Sequence, residues 1–85
     1  MYHLKKNFGI TIDAYNDMFT KQGGKCAICG KHQSECTRAL AVDHDHITGK
    51  IRGLLCSTCN IGLGNFKDDT SLLKNTITYL ERNRN

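Results

Sequence analysis

Two close cysteine pairs, Cys26-x-x-Cys29 and Cys56-x-x-Cys59, constrain this chain more than any other feature. Four thiolates in two such pairs can hold one tetrahedral zinc ion. A zinc closed by them ties together the ends of the 26 residues that separate the pairs. That closure is expected to bring Asn60, next to Cys59, near the run Asp43-His44-Asp45-His46 between the pairs. The cysteines thus read as structural, and the residues that they gather read as chemical. A thioredoxin-like redox role for either pair lacks the βαβ pattern that it needs. The fifth cysteine, Cys36, makes the number odd, which argues against a fully paired disulfide framework and for metal binding in a reducing compartment. Cys36 itself reads as a spare thiol in a loop, with a ligand or redox role as the alternative.

With 85 residues the chain is expected to form one domain over 1–85, with its core at about 24–67. A domain of this size buries only about 60–65% of the surface that its unfolded chain exposes. Its apolar supply is modest, 39% hydrophobic residues and no tryptophan. Such folds often need a staple, and a structural zinc contributes roughly 10–16 kcal/mol in zinc-finger peptides. No apolar run approaches the ~18–20 residues that span a bilayer, and no hydrophobic segment follows the N-terminal Met1-Tyr2-His3-Leu4-Lys5-Lys6. A soluble, cytoplasmic protein without a membrane partner is expected. The formal charge is +4, and four thiolates on one Zn²⁺ would bring it nearer +2. Bulk charge alone does not establish nucleic-acid binding. Lys5, Lys6, Lys21, Lys25, Lys31 and Arg38 do outnumber the acids ahead of the Asp-His run. They make either a phosphate-facing or an ordinary solvated surface.

The order of elements reads helix, knuckle, strand, strand, helix, helix, a small α+β fold. Residues 1–9 suggest one short helical turn ending at Gly9. Thr11 is an N-cap candidate. Ile12, Tyr15 and Phe19 then fall on one helical face, and Gly23-Gly24 ends that helix. Residues 26–30 form a cysteine knuckle, and 31–38 a polar loop. Leu40 and Val42 alternate with Ala39 and Ala41 in a strand that runs into Asp43-His44. Thr48-Gly49 marks a turn, and Ile51 to Leu55 form the return strand. Cys56 to about Phe66 make a helix weakened by Gly62 and Gly64. Asp68 or Asp69 caps a last helix, whose stripe of Leu73, Ile77 and Leu80 is expected to be buried, with Arg82 and Arg84 suiting its C-terminal dipole.

At residues 42–60 a resemblance becomes specific. Val42-Asp43-His44-Asp45-His46, then Gly49-Lys50-Ile51-Arg52-Gly53-Leu54-Leu55-Cys56, then Cys59-Asn60, resemble the phage recombination endonuclease VII family. That family belongs to the His-Me finger, or HNH, nucleases. Gly9-Ile10-Thr11 to Tyr15 and Gly23 to Gly30 are also similar, so the match covers about residues 8–67. The resemblance implies a zinc-stapled ββα-metal (His-Me finger) core, here with an N-terminal and a C-terminal helix. It implies Asp43 and Asn60 as ligands of a catalytic Mg²⁺ or Mn²⁺, His44 as general base, and products with 5′-phosphate and 3′-hydroxyl ends. Its DNA endonuclease activity would be nicking or loosely specific. Junction-resolving members carry further helical sequence after the core, and only about 16 residues follow Asp69 here. A monomer or small homodimer is expected.

The residue chemistry agrees with these roles. Mg²⁺ prefers oxygen donors and keeps several waters, so one carboxylate and one amide oxygen suffice when phosphate oxygens complete its shell. A neutral imidazole can take a proton from water near neutral pH. His46 either contacts a phosphate or protonates the leaving group, or else orients the hairpin as a polar loop residue. Asp45 reads as a turn residue rather than a ligand. Lys50 and Arg52 are candidate nucleic-acid contacts; Arg52 could clamp a phosphate through two bonds or form an ordinary structural pair. His3 and His32 read as solvated. The competing reading is a non-catalytic zinc module that binds nucleic acid or a protein partner, which would have no need of Asp43, His44 and Asn60 together. A small accessory subunit of a larger nuclease or polymerase is a further alternative. One geometric difficulty stands: adjacent strand residues point to opposite faces, yet Asp43 and His44 must serve one phosphate.

Overall fold

The computed structural model of the chain describes residues 10–84. The helical turn expected within residues 1–9, and His3 with it, lie outside the described residues. Helix α1 spans Ile12–Lys21 and is capped by Thr11, whose hydroxyl accepts from the Ala14 amide at 3.0 Å. Ile10 and Tyr15 occupy the two positions of a hydrophobic staple, just before the cap and at the fourth helical residue. Both enter the core, where Met18 and Phe19 join them. The expected face is therefore displaced by one side chain: Ile12 is 55% exposed, because the staple turns the helix on Ile10 instead. Gly23 and Gly24 follow with φ of 66° and 72°. At Gly24 a Cβ would lie 2.9 Å from His32 Nε2 and 3.1 Å from Phe19 Cζ, so that position tolerates no side chain.

Residues 31–38 hold more structure than a polar loop. Lys25 and His32 form an isolated bridge, and a single 3₁₀ turn covers Gln33–Glu35. His32 is exposed, as expected, but its Nδ1 accepts from the Ser34 amide at 3.0 Å and so caps that turn.

Strands β1 (Ala41–His44) and β2 (Ile51–Leu55) pair antiparallel. Val42 faces Leu54, and both are buried with Leu40, Leu55, Ile10, Cys26 and Cys56. The outer edge of β2 is closed by a side chain: the Gln22 amide donates to the Leu54 carbonyl at 3.0 Å and accepts from the Leu54 amide at 2.9 Å. Gly53 makes room for this, since a Cβ there would lie 3.2 Å from Gln22 Oε1. The register breaks at the end of the hairpin. Asp43 faces Gly53 but His44 faces Ile51, which leaves Arg52 as the extra residue of a β-bulge.

Helix α2 (Ser57–Asn65) follows β2 directly and packs on both strands. It ends in a Schellman arrangement: the Lys67 amide donates to Gly64 O and the Asp68 amide to Leu63 O, each at 3.0 Å. Lys67 and Asp68 both take left-handed backbone, with φ of 56° and 55°, where glycine is usual. Asp69, not Asp68, then caps α3 (Thr70–Arg82), accepting from Ser71 N at 2.8 Å and Leu72 N at 3.2 Å. The buried stripe expected on α3 is not found. No residue of α3 is buried, and Ile77 and Leu80 are 55% and 44% exposed. The amphipathic face of α3 stays largely open, with Leu72 and Tyr79 exposed as well. No described helix is long and apolar enough to cross a membrane.

Candidate functional site

Cys26 and Cys29 lie on the knuckle after α1, where the Gly30 amide returns to Cys26 O at 3.0 Å and Gly30 takes φ 76°. Cys56 is the N-cap of α2, and Cys59 lies in its first turn. The α2 N-terminus has no side-chain cap bond, and its positive dipole end favours thiolates there. The four sulfurs lie within 4.8 Å of one another. The Cys29–Cys56 separation of 3.7 Å is too long for a disulfide. It matches the ~3.8 Å edge of a tetrahedron with Zn–S bonds of about 2.3 Å. Four soft donors and no open position suit a structural zinc. Cys36 stands outside the cluster, its Sγ 3.5 Å from His32 O.

The thiols divide in their acidity. Burial pushes Cys26 upward, but amides at Cys29, Cys56 and Ile28 outweigh it and bring the thiol down to about 6. Cys59 is pushed up to about 12, by burial first and then by the neighbouring sulfurs. Cys29 is also raised: the Lys31 amide acts to lower it, and burial with the Cys26 and Cys56 sulfurs prevails. One thiolate is thus ready at neutral pH, and a cation must supply the charge that removes the remaining protons.

The second group of polar residues lies at the bulged end of the hairpin. Asp43 is only 8% exposed, and its carboxylate accepts two bonds from Arg52, Nε to Oδ2 at 2.7 Å and Nη2 to Oδ1 at 2.9 Å. The same Nη2 reaches Asp68 Oδ2 at 3.3 Å. The Asp43 hydrogen bond, with both carboxylate charges, raises the Arg52 pKa further, so its charge is permanent. His44 and His46 stack obliquely, ring centroids 5.0 Å apart, and His46 Nε2 lies 3.7 Å from Asp68 Oδ2. Asp45 organises the turn, accepting from the Ile47 and Thr48 amides at 2.8 and 2.9 Å. Those bonds hold its carboxyl below the usual range. Asn60 is exposed in the first turn of α2, and Lys50 is exposed just before the return strand. A cleft of about 440 Å³ opens beside the group, lined among others by His46, Ile47, Arg52, Lys67 and Asp68.

The fold thus brings Asp43 to Arg52 and His44 to His46, and sets Asn60 on the helix that packs against their hairpin. Sequence reasoning missed Asp68, which reads there only as a helix cap. The adjacent Asp69 takes that role and leaves the Asp68 carboxylate to face Arg52.

Taken together, the described residues form a small α+β fold of three helices and a two-stranded sheet, with four cysteines positioned for a metal. A sequence model of the recombination endonuclease VII family matches residues 1–82, and the chain belongs to that family. It is similar to the Gene 59 protein of Mycobacterium phage L5, with 46% identity over 74 residues, 86% of this chain and 44% of that protein. It is also similar to the Gene 59 protein of Mycobacterium phage D29, with 43% identity over 76 residues, 88% of this chain and 46% of that protein. The chain therefore spans less than half the length of these relatives.

Proposed function

We propose that this chain is a His-Me finger endonuclease that hydrolyses DNA phosphodiester bonds with Mg²⁺ or Mn²⁺, by nicking or loosely specific cleavage. The observation that carries the reading is the break in register between Asp43 and His44, opposite the bulged Arg52 of the facing strand. A bulge increases local twist and re-aims side chains, and bulges gather beside active sites. Such a twist supports a reading in which two adjacent strand residues serve one phosphate. Family membership supports a nuclease and DNA as its partner.

Asp43 and Asn60 would hold the cation, since both offer oxygen donors. The bound cation would supply positive charge to stabilise the leaving 3′ oxygen. His44 accepts a proton from the water that attacks phosphorus, and the P–O3′ bond breaks to leave 5′-phosphate and 3′-hydroxyl ends. A base in this role contributes ~10²–10⁴ in rate. His46, its ring tilted against that of His44, lines the cleft, which supports a contact with a phosphate or with the leaving oxygen. Lys50 and Arg52 would supply positive charge to the backbone, Arg52 once part of its fork leaves Asp43. The cysteine cluster, loaded with zinc, would anchor α2 against the hairpin and take no part in the chemistry.

The alternative, a zinc module that binds without cutting, accounts for buried Asp43 through its pair with Arg52 but has no need of Asp43, His44 and Asn60 together. The two are separated on supercoiled plasmid. The proposal expects nicking by the zinc-loaded protein with Mg²⁺ or Mn²⁺, lost with EDTA and reduced at least about 100-fold in His44→Ala with the fold retained. Equal nicking by the wild type and His44→Ala would point to a contaminant or another site and overturn the role of His44, and no nicking by either would favour the binding module.

A further inference from the structure

Arg52 is held by two carboxylates at once, and the sharing is uneven. Its Nε bonds Asp43 Oδ2, while its Nη2 divides between Asp43 Oδ1 at 2.9 Å and Asp68 Oδ2 at 3.3 Å. In the reading above Asp43 binds a divalent cation, and the inference rests on that reading. A guanidinium bonded to both oxygens of a carboxylate competes with a cation for the same lone pairs. Full release of Arg52 to water would forfeit two charge-assisted bonds. We propose that Asp68 is a positioning residue that takes over the Nη2 end of Arg52 and so frees Oδ1 of Asp43 for the cation. The movement is small, because Nη2 already touches both acceptors.

The backbone supports this role independently. Asp68 sits second in a pair of left-handed non-glycine residues, fixed by the two amide bonds that close α2. Such backbone is costly for residues with a Cβ and persists where its surroundings over-determine it. Here it points a carboxylate at the hairpin rather than along α3, whose cap Asp69 supplies. The Asp68 side chain is 21% exposed and faces the cleft, with Arg52 on one side and His46 Nε2 at 3.7 Å on the other. Metal-site partners beyond the ligands themselves commonly tune affinity by about 10–100-fold.

Mn²⁺ titration of the zinc-loaded protein by calorimetry, with electron paramagnetic resonance to count free ion, tests this without DNA. Asp68→Asn removes the charge and keeps a residue that accepts left-handed backbone. It is expected to weaken Mn²⁺ binding about tenfold. In an Arg52→Gln background the same change is expected to cost less than about twofold, because the residue through which Asp68 acts is gone. Equal losses in both backgrounds would make Asp68 a simple field charge and overturn the proposal, as would no loss in either. Zinc content and far-UV circular dichroism check each variant, and Arg52→Lys replaces Arg52→Gln if the latter does not fold. Asp43→Asn separates the two readings. If it leaves Mn²⁺ affinity unchanged, Asp43 is no ligand and both fall. If it abolishes binding while Asp68→Asn is silent, only the role of Asp68 falls.

Discussion

Arg52 and Asp43 meet through two short bonds, but the two ends of that pair are not equally replaceable. Asp43 is buried, and its side chain is 11% exposed against 34% for Arg52, which also reaches Asp68. Removing Arg52 strands a carboxylate away from water. Removing Asp43 leaves a guanidinium with a second acid and solvent at hand. Breaking a fully buried pair costs ~3–5 kcal/mol, and the partial exposure of Arg52 reduces this. Arg52→Ala is therefore expected to destabilise the domain by about 2 kcal/mol and Asp43→Ala by less than about 1 kcal/mol, read from urea unfolding of the zinc-loaded protein. The reverse order would mean that Asp43 is not held by this pair. Nothing in the sequence marks this contact. Arg52 reads there as a phosphate clamp or an ordinary surface or structural pair with no partner named, because a bulge that turns it toward Asp43 depends on register, and register is set by the whole hairpin.

The elements were largely legible because each is closed by local chemistry. Thr11 caps α1, glycines end it, alternation marks the strands, and Asp69 caps α3. What they pack against was less so. Periodicity says that one face of α3 is apolar and cannot say whether a neighbour covers it. For α1 the face is decided by Ile10, outside the helix, which no helical period includes. Energetics should follow packing rather than composition. Leu54→Ala, at a fully buried position opposite Val42, is expected to cost ~2–5 kcal/mol. Leu80→Ala on the open face of α3 is expected to cost less than about 1 kcal/mol. Thermal unfolding of the two variants checks the pair, and a large loss at Leu80 would reveal a partner for α3.

For the molecule as a whole, the thiol cluster is continuous with the core, since Cys26 and Cys56 belong to both. Zinc should then act as folding free energy. Chelation, or Cys56→Ser, is expected to abolish the cooperative transition; a zinc-free domain that still unfolds cooperatively would refute the staple. The sign of the pH effect follows from the thiols. Cys26, lowered to about 6, is ionised at neutral pH, while Cys59, raised to about 12, and Cys29, also raised, hold protons that zinc must displace. Zinc affinity should therefore rise with pH from about 6 to 8, with at least these two protons released into the buffer during calorimetry. Affinity independent of pH would contradict the protonated state of the cluster. The staple was the most legible part of the chain, because spacing alone defines it. The hairpin mouth was legible only as residue types, since its geometry arises from a bulge and a strained turn that no short motif encodes.

The proposed chemistry requires a divalent cation at that mouth, held by Asp43 and Asn60. Anomalous diffraction from crystals of the zinc-loaded protein soaked in Mn²⁺ measures this directly. The account predicts a zinc peak among the four sulfurs and a manganese peak within about 2.5 Å of oxygens from both Asp43 and Asn60. A well-ordered hairpin with Arg52 still on both oxygens of Asp43, and no manganese between that carboxylate and Asn60 at saturating ion, would contradict it.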